Sequence, residues 1–196
     1  LLDAFIHNKR IDTTAMQARN CTSPLAGIML AGLMFFDAAA AEPDLPAIAV
    51  IGFELDDDQP DPARAAQLGP RLAAIKRQLE MGLHSRGLYR VVDTAPAQDL
   101  IDGLYERHMF VYRCNDCLAE VGQRLGTRLL VVGWVQRVSE LILNINVSIR
   151  DAQTDTEILS KSVDLRGNTD ETWMRGMNFM LRDWAERRAR NPRYGQ

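Results

Sequence analysis

Cys114-Asn115-Asp116-Cys117 is the sharpest chemical feature of the sequence. In an oxidising compartment cysteines this close pair with each other. A loop of four residues adds about 2 kcal/mol in the chain-entropy model, less any strain. A helix beginning at Cys114 would lower its thiol pKa and favour thiol–disulfide exchange. A thioredoxin-type site also wants a proline loop facing the cysteines, and the only later proline is Pro192. A c-type haem site needs His directly after the second cysteine, where this chain has Leu118. Zinc needs two further ligands, and His84 and His108 stand at no recognisable spacing. A structural disulfide is the first reading, with a redox pair, a metal site or free thiols as alternatives.

A second cluster is acidic: Glu54, Asp56, Asp57, Asp58 and Asp61. Carboxylates at that density suit a hard cation such as calcium, with Asp56, Asp57 and Asp58 as candidate ligands. The EF-hand register with its central glycine is missing, so a solvated loop is the ordinary reading. Two candidate partner surfaces remain. One is the polar row Asn144, Asn146, Ser148 and Arg150, beside Ser160, Ser162 and Asp164. The other is the segment from Arg166 to Trp173, of which a helix cap explains much. No G-x-S-x-G elbow, Walker A loop, G-x-G-x-x-G fingerprint or H-E-x-x-H helix occurs. Nothing singles out a general base among His84, His108 and the carboxylates. The expectation is a non-enzyme without a cofactor.

These residues need elements to hold them. Ala47 to Leu55 is apolar and β-branched, as in a strand covered on both faces. Leu68, Leu72, Ile75, Leu79 and Leu83 form one stripe of a helix reaching about Arg86. Its start falls at Asp61-Pro62 or after the Gly69-Pro70 interruption. A short strand over Leu88 to Val92 and a helix over Ala97 to Glu106 follow, then an ambiguous stretch, His108 to Arg113. Cys114 to Leu125 reads as a helix carrying Leu118, Val121 and Leu125. Arg128 to Val138, Leu141 to Asp151 and Ile158 to Leu165 read as strands, the middle one alternating strictly between apolar and polar. Asn168 to Arg188 is a final helix capped by Asn168, with Glu171 three residues on and Trp173, Met177, Met180, Leu181 and Trp184 as its core stripe. The predicted fold is an α/β two-layer sandwich: a mixed sheet of about five strands, ordered β-α-β-α-α-β-β-β-α, with helices mainly on one face. Residues 187–196 read as a frayed basic tail.

The chain has 196 residues, is 46% hydrophobic and 25% charged, and carries a net charge of -3. That balance excludes a disordered chain, a collagen-like repeat and a polyanion binder, and nucleic acid is not an expected partner. Three cysteines are too few for a disulfide framework at this size. Pro24 to Phe36 is an uncharged apolar run, too short to span a bilayer. Arg19 precedes it and small Ala38 to Ala41 follow. Residues 16–41 thus read as a secretory signal cleaved near Ala41, with 1–15 as an upstream extension. Cys21 lies before the apolar run, which argues against lipid attachment. Removing 41 residues leaves 155, a single domain over 42–196 with the net charge unchanged. The expected address is periplasmic, with no stable membrane insertion once the signal is removed.

Several segments resemble a family of predicted secreted proteins of unknown function from Gram-negative bacteria. They are Ile51-Gly52-Phe53-Glu54-Leu55, Tyr89-Arg90-Val91-Val92-Asp93, the Cys114/Cys117 pair, Leu125-Gly126, Val132-Gly133-Trp134-Val135 and Arg166-Gly167-Asn168-Thr169-Asp170. The element order is also similar to the amino-terminal domain of TolB and to envelope lipoproteins related to CsgG and LpoB. That wider resemblance implies an accessory protein that binds an envelope partner without catalysis. The family resemblance adds a place beside a periplasmic quinoprotein oxidation system. Two alternatives stand beside it: thiol–disulfide exchange at Cys114/Cys117, and metal binding by the acidic loop 54–61.

Overall fold

The computed structural model describes residues 44–196. The expected signal and the extension before it lie outside the described residues. Among the described residues, no helix is long and apolar enough to cross a membrane. The order is β1 (Ala47–Asp57), α1 (Pro62–Ser85), β2 (Arg90–Val91), α2 (Gln98–Arg107), α3 (Ala119–Leu125), β3 (Leu129–Arg137), β4 (Ile142–Asp151), β5 (Glu157–Arg166) and α4 (Asp170–Arg190). Short 3-10 turns stand at Ala95–Ala97 and Val111–Arg113. The fold is the expected α/β class. One sheet runs β2-β1-β3-β4-β5, parallel through β2, β1 and β3 and antiparallel through β3, β4 and β5.

The two long helices, α1 and α4, cover one face of the sheet. Between them and the strands lies a large core that includes Ile75, Leu79, Val147, Trp173, Met177 and Trp184. Over the β1–β3 half of the opposite face lies a small core, among it Ile51, Ile101, Val111, Leu118, Val121 and Val132. The short helices α2 and α3 and the two 3-10 turns supply it. One strand serves both cores because β1 carries a bulge. Val50 pairs with Val131 and Gly52 with Val132, so Ile51 is the extra residue. Before the bulge, Ile48 and Val50 face the large core; after it, Phe53 and Leu55 do. The change of phase sends Glu54 and Asp56 to the small-core side. Two glycines of the family-like segments make room here: a Cβ at Gly133 would run into the Phe53 ring, and one at Gly52 into the Tyr105 hydroxyl.

Several boundaries differ from expectation. Helix α1 starts at Pro62, capped by Asp61 Oδ1 accepting from the Ala63 N–H at 2.9 Å, and runs without a restart past exposed Pro70. Strand β2 keeps only two residues because Leu88 and Tyr89 turn into the large core. Thr169, not Asn168, caps α4, and its partner in the capping box is Thr172, not Glu171. The Asn168 side chain is engaged elsewhere, accepting from Arg71 at 2.9 Å and from Trp173 Nε1 at 3.0 Å. The tail does not fray: α4 runs to Arg190 and the chain then folds back. Arg188 Nε donates to the Tyr194 carbonyl at 2.6 Å, Tyr89 Oη donates to the Gly195 carbonyl, and Tyr194 packs on the large core.

Candidate functional site

Cys114 and Cys117 are joined in a disulfide. The helix expected from Cys114 begins only at Ala119. Cys114 instead ends the Val111–Arg113 turn, where no helix dipole acts on its sulfur. Tertiary contacts set this path. The carboxylate of Glu54 accepts from the Val111 N–H at 2.8 Å and the Tyr112 N–H at 3.2 Å. Arg150 Nη1 donates to the Cys114 carbonyl at 2.6 Å, and its Nη2 pairs with Asp155 at 2.7 Å. The Asp116 N–H donates to Asp155 Oδ2 at 3.0 Å, holding Asp116 at φ 59°. That left-handed residue reverses the chain so that Cys117 returns to Cys114 and Leu118 enters the small core. His108, at the end of α2, places its Nε2 3.6 Å from Cys114 Sγ. The histidine with no sequence spacing to recommend it is thus the one beside the cysteines.

The acidic cluster is a solvated loop only from Asp58 to Asp61, and its carboxylates do not gather into a cation cage. Strand β1 extends to Asp57, so its carboxylates alternate between faces. On the small-core side, Asp56 accepts from Tyr112 Oη at 2.6 Å and from Arg113 at 3.1 Å. On the large-core side, Asp57 pairs with Arg64 at 2.8 Å and Arg137 at 3.0 Å. Asp61 caps α1, and Asp58 is exposed. With Asp56 and Asp57 turned to opposite sides, the trio Asp56, Asp57 and Asp58 does not converge on one ion, which removes the acidic-loop metal alternative. Among the described residues, only His108, Cys114 and Cys117 form a group of metal-ligand type.

The environments of these carboxylates shift their proton affinities in opposite directions. Burial raises the Glu54 pKa above the usual range, against the lowering effect of the Val111 and Tyr112 N–H groups. Burial acts the same way on Asp57, but hydrogen bonds from the Gln59 N–H, Arg64 and Arg137 outweigh it and hold the carboxyl low. Tyr112 is pushed up to about 12, by burial first and then by its bond to Asp56. Its ring stacks on Trp134 with centroids 4.2 Å apart and planes 5° from parallel.

The polar row divides. Asn144, Asn146, Ser148 and Arg150 do share the face opposite the large core. Ser148 is buried and donates to Glu157 at 2.7 Å, and Arg150 is part of the cysteine-loop clamp. Asn144 donates to Asp164. Trp173 is only 1% exposed in the large core, so it presents no partner surface; its position in the α4 stripe faces inward.

Arg166 is exposed and lines a groove of about 760 Å³ that the sequence did not reveal. Ser162, Val163, Asp164, Leu165 and Arg166, five successive residues of β5, form one wall. Neighbours along a strand point to opposite faces, so a groove lined by all five follows the backbone edge. Among the described residues that edge is free, since β5 ends the sheet. Thr172, Arg175, Phe179 and Arg182 of α4 form the other wall. Gly176 lets α4 approach closely, since a Cβ there would meet Leu165. Phe179 is 52% exposed, an aromatic residue off the core stripe of its helix. Arg175 pairs with Glu171 at 2.7 Å, and the Arg182 guanidinium lies 5.3 Å from the Phe179 centroid.

A family model described as a protein of unknown function (DUF2380) matches residues 46–184. The chain belongs to this family, DUF3280. No curated protein matches it. Solved structures similar to this DUF3280 member include the LpoB C-terminal domain from Salmonella enterica, at 11% identity and TM-score 0.45, covering 65% of this chain and 87% of that one. Lipoprotein GNA1162 from Neisseria meningitidis matches at 18% identity and TM-score 0.42, over 74% and 96% of the two chains. TolB from Acinetobacter baumannii matches at 13% identity and TM-score 0.40, over 76% of this chain and 29% of that one. At these scores the likenesses bear on neither activity nor partner.

Proposed function

We propose that this DUF3280 protein is an exported, periplasmic, non-enzymatic accessory protein that binds a protein partner of the cell envelope through the β5–α4 groove. The signal-like segment 16–41 and the close cysteine pair support the address. The observation that carries the binding reading is the free edge of ten-residue β5, bordered by exposed Phe179 and by Arg166, Arg175 and Arg182. An extended segment laid along that edge gains main-chain hydrogen bonds from β5 and sets alternate side chains into the groove. Three arginines favour carboxylates on that segment, and Phe179 favours an apolar residue between them.

The test uses a labelled peptide alternating Glu and Val, followed by fluorescence anisotropy. The expected result is binding that weakens with added salt and falls roughly tenfold or more in the Arg166→Glu, Arg182→Glu double variant. Both arginines are exposed, so the variant should keep wild-type stability to within about 0.5 kcal/mol. Absence of binding, or equal binding by the variant, overturns the reading. The same two proteins, immobilised and exposed to periplasmic extract, identify the native partner. A quinoprotein dehydrogenase retained by wild type and lost from the variant is the specific result that the family resemblance anticipates.

A further inference from the structure

We infer that reduction of the Cys114–Cys117 disulfide opens a site for a thiophilic d10 cation, zinc(II) or copper(I), whose three protein ligands are Cys114 Sγ, Cys117 Sγ and His108 Nε2. The inference is independent of the groove. The three ligand atoms already lie within 4.8 Å of one another. A tetrahedral zinc with bonds of roughly 2.3 Å to sulfur and 2.0 Å to nitrogen places its ligand atoms roughly 3.5–3.8 Å apart. The Cys114 Sγ to His108 Nε2 separation is 3.6 Å. Two residues between the cysteines is the spacing of metal knuckles.

The scaffold is held by more than the disulfide. Glu54 pins the turn that precedes Cys114, Arg150 holds the Cys114 carbonyl, Asp155 holds the Asp116 N–H, and Leu118 is anchored in the small core. Breaking the sulfur–sulfur bond therefore leaves both thiols beside His108, needing only the sulfurs to move apart. Cys114 is 8% exposed, and His108 and Cys117 are half-buried, so one side of the group is open to solvent. No fourth protein ligand joins the three among the described residues. An open position of this kind, filled by water on zinc and left empty on three-coordinate copper(I), suits a cation that is carried or exchanged more than one that is locked in place.

The chemistry balances with a protein or small-molecule dithiol as reductant. The disulfide takes up two electrons and two protons and becomes two thiols, while the reductant becomes its own disulfide. Binding of the cation then displaces the two thiol protons, and neutral His108 supplies the third ligand through Nε2. Reoxidation by a disulfide, which takes up the two electrons and two protons and becomes a dithiol, forms the sulfur–sulfur bond and expels the ion.

The test takes the full chain, reduced with a phosphine and freed of reductant anaerobically, and titrates it with cobalt(II) as a coloured stand-in for zinc. The expected result is one cobalt per chain with thiolate-to-cobalt charge transfer and tetrahedral d–d absorption, bleached by zinc. The oxidised wild-type protein, which keeps its fold, should show neither band. His108→Ala keeps both cysteines and should weaken cobalt binding roughly tenfold or more while circular dichroism stays unchanged. No stoichiometric cobalt in the reduced protein, equal cobalt in the oxidised protein, or undiminished binding by a folded His108→Ala variant would each overturn the inference.

Discussion

The two faces of the sheet are stabilised by different means. On one, α1 and α4 bury a continuous apolar core containing Tyr89, Trp173 and Trp184. On the other, a smaller core is held down by irregular chain, and the fastening is polar and covalent: Glu54 on two N–H groups, Arg150 on a carbonyl, Asp155 on Asp116, and the disulfide. The difference teaches that a covering layer too small to hold itself by burial can be clipped on by single side chains, and that such a layer is where redox state can alter local structure. The first mode predicts diffuse, large losses on truncation; the second predicts local ones.

The comparison breaks most readily in the large core. Trp184 is 0% exposed and meets Tyr89 edge to face, with centroids 5.7 Å apart. Trp184→Ala should cost about 3–5 kcal/mol in chemical denaturation and lower the whole transition. A loss confined to the tail would contradict a single cooperative core. Next comes the disulfide. Cys114→Ser with Cys117→Ser should cost about 2 kcal/mol from the short loop alone. Hydrogen exchange should accelerate at Val111 and Leu118 while the α1 and α4 amides keep their protection. Uniform acceleration would erase the distinction between the layers.

The smallest effect is one of pH. Glu54, on the clipped side, has a raised pKa, so the native state holds the extra proton between the ordinary glutamate value and the raised one. Its contribution therefore falls as pH rises through that window. Asp57, on the large-core side, has a lowered pKa, so its contribution is complete above the ordinary aspartate value and is lost as pH falls through the native one. Glu54→Gln should flatten the first slope and Asp57→Asn the second, both read from denaturation midpoints across acidic pH. Slopes of the same sign at both residues would refute this assignment of environments.

Much of the large-core side was legible in the sequence. The α1 stripe, the strict alternation of β4 and the α4 stripe all announce one buried face, because helix and strand periods are local properties of the chain. The clipped side was not legible, for reasons specific to its residues. Leu118, Val121 and Leu125 do have helical spacing, but Arg150, 36 residues away, takes the Cys114 carbonyl, and Asp116 turns left-handed, so the helix loses its first turn. Asn168 has the right chemistry for a cap, yet Arg71, 97 residues away, claims its side chain and the role passes to Thr169. His108 and the β5–α4 groove come from chain reversals and sheet order, which no local pattern encodes. Phe179, apolar but outside the α4 core stripe, was the one available hint of the groove.

Ile51 also sets the reading frame of a strand in the way a codon phase sets a message. Flattening the bulge with every residue kept in the ladder would realign everything downstream to Asp57, exchanging what each face receives. Phe53 and Leu55 would be delivered to the cysteine loop, while Glu54 and Asp56 would point among the tryptophans. Deletion of a residue between Gly52 and Leu55 should therefore be tolerated far less than deletion of Ile51 itself, which leaves the faces on both sides of it unchanged.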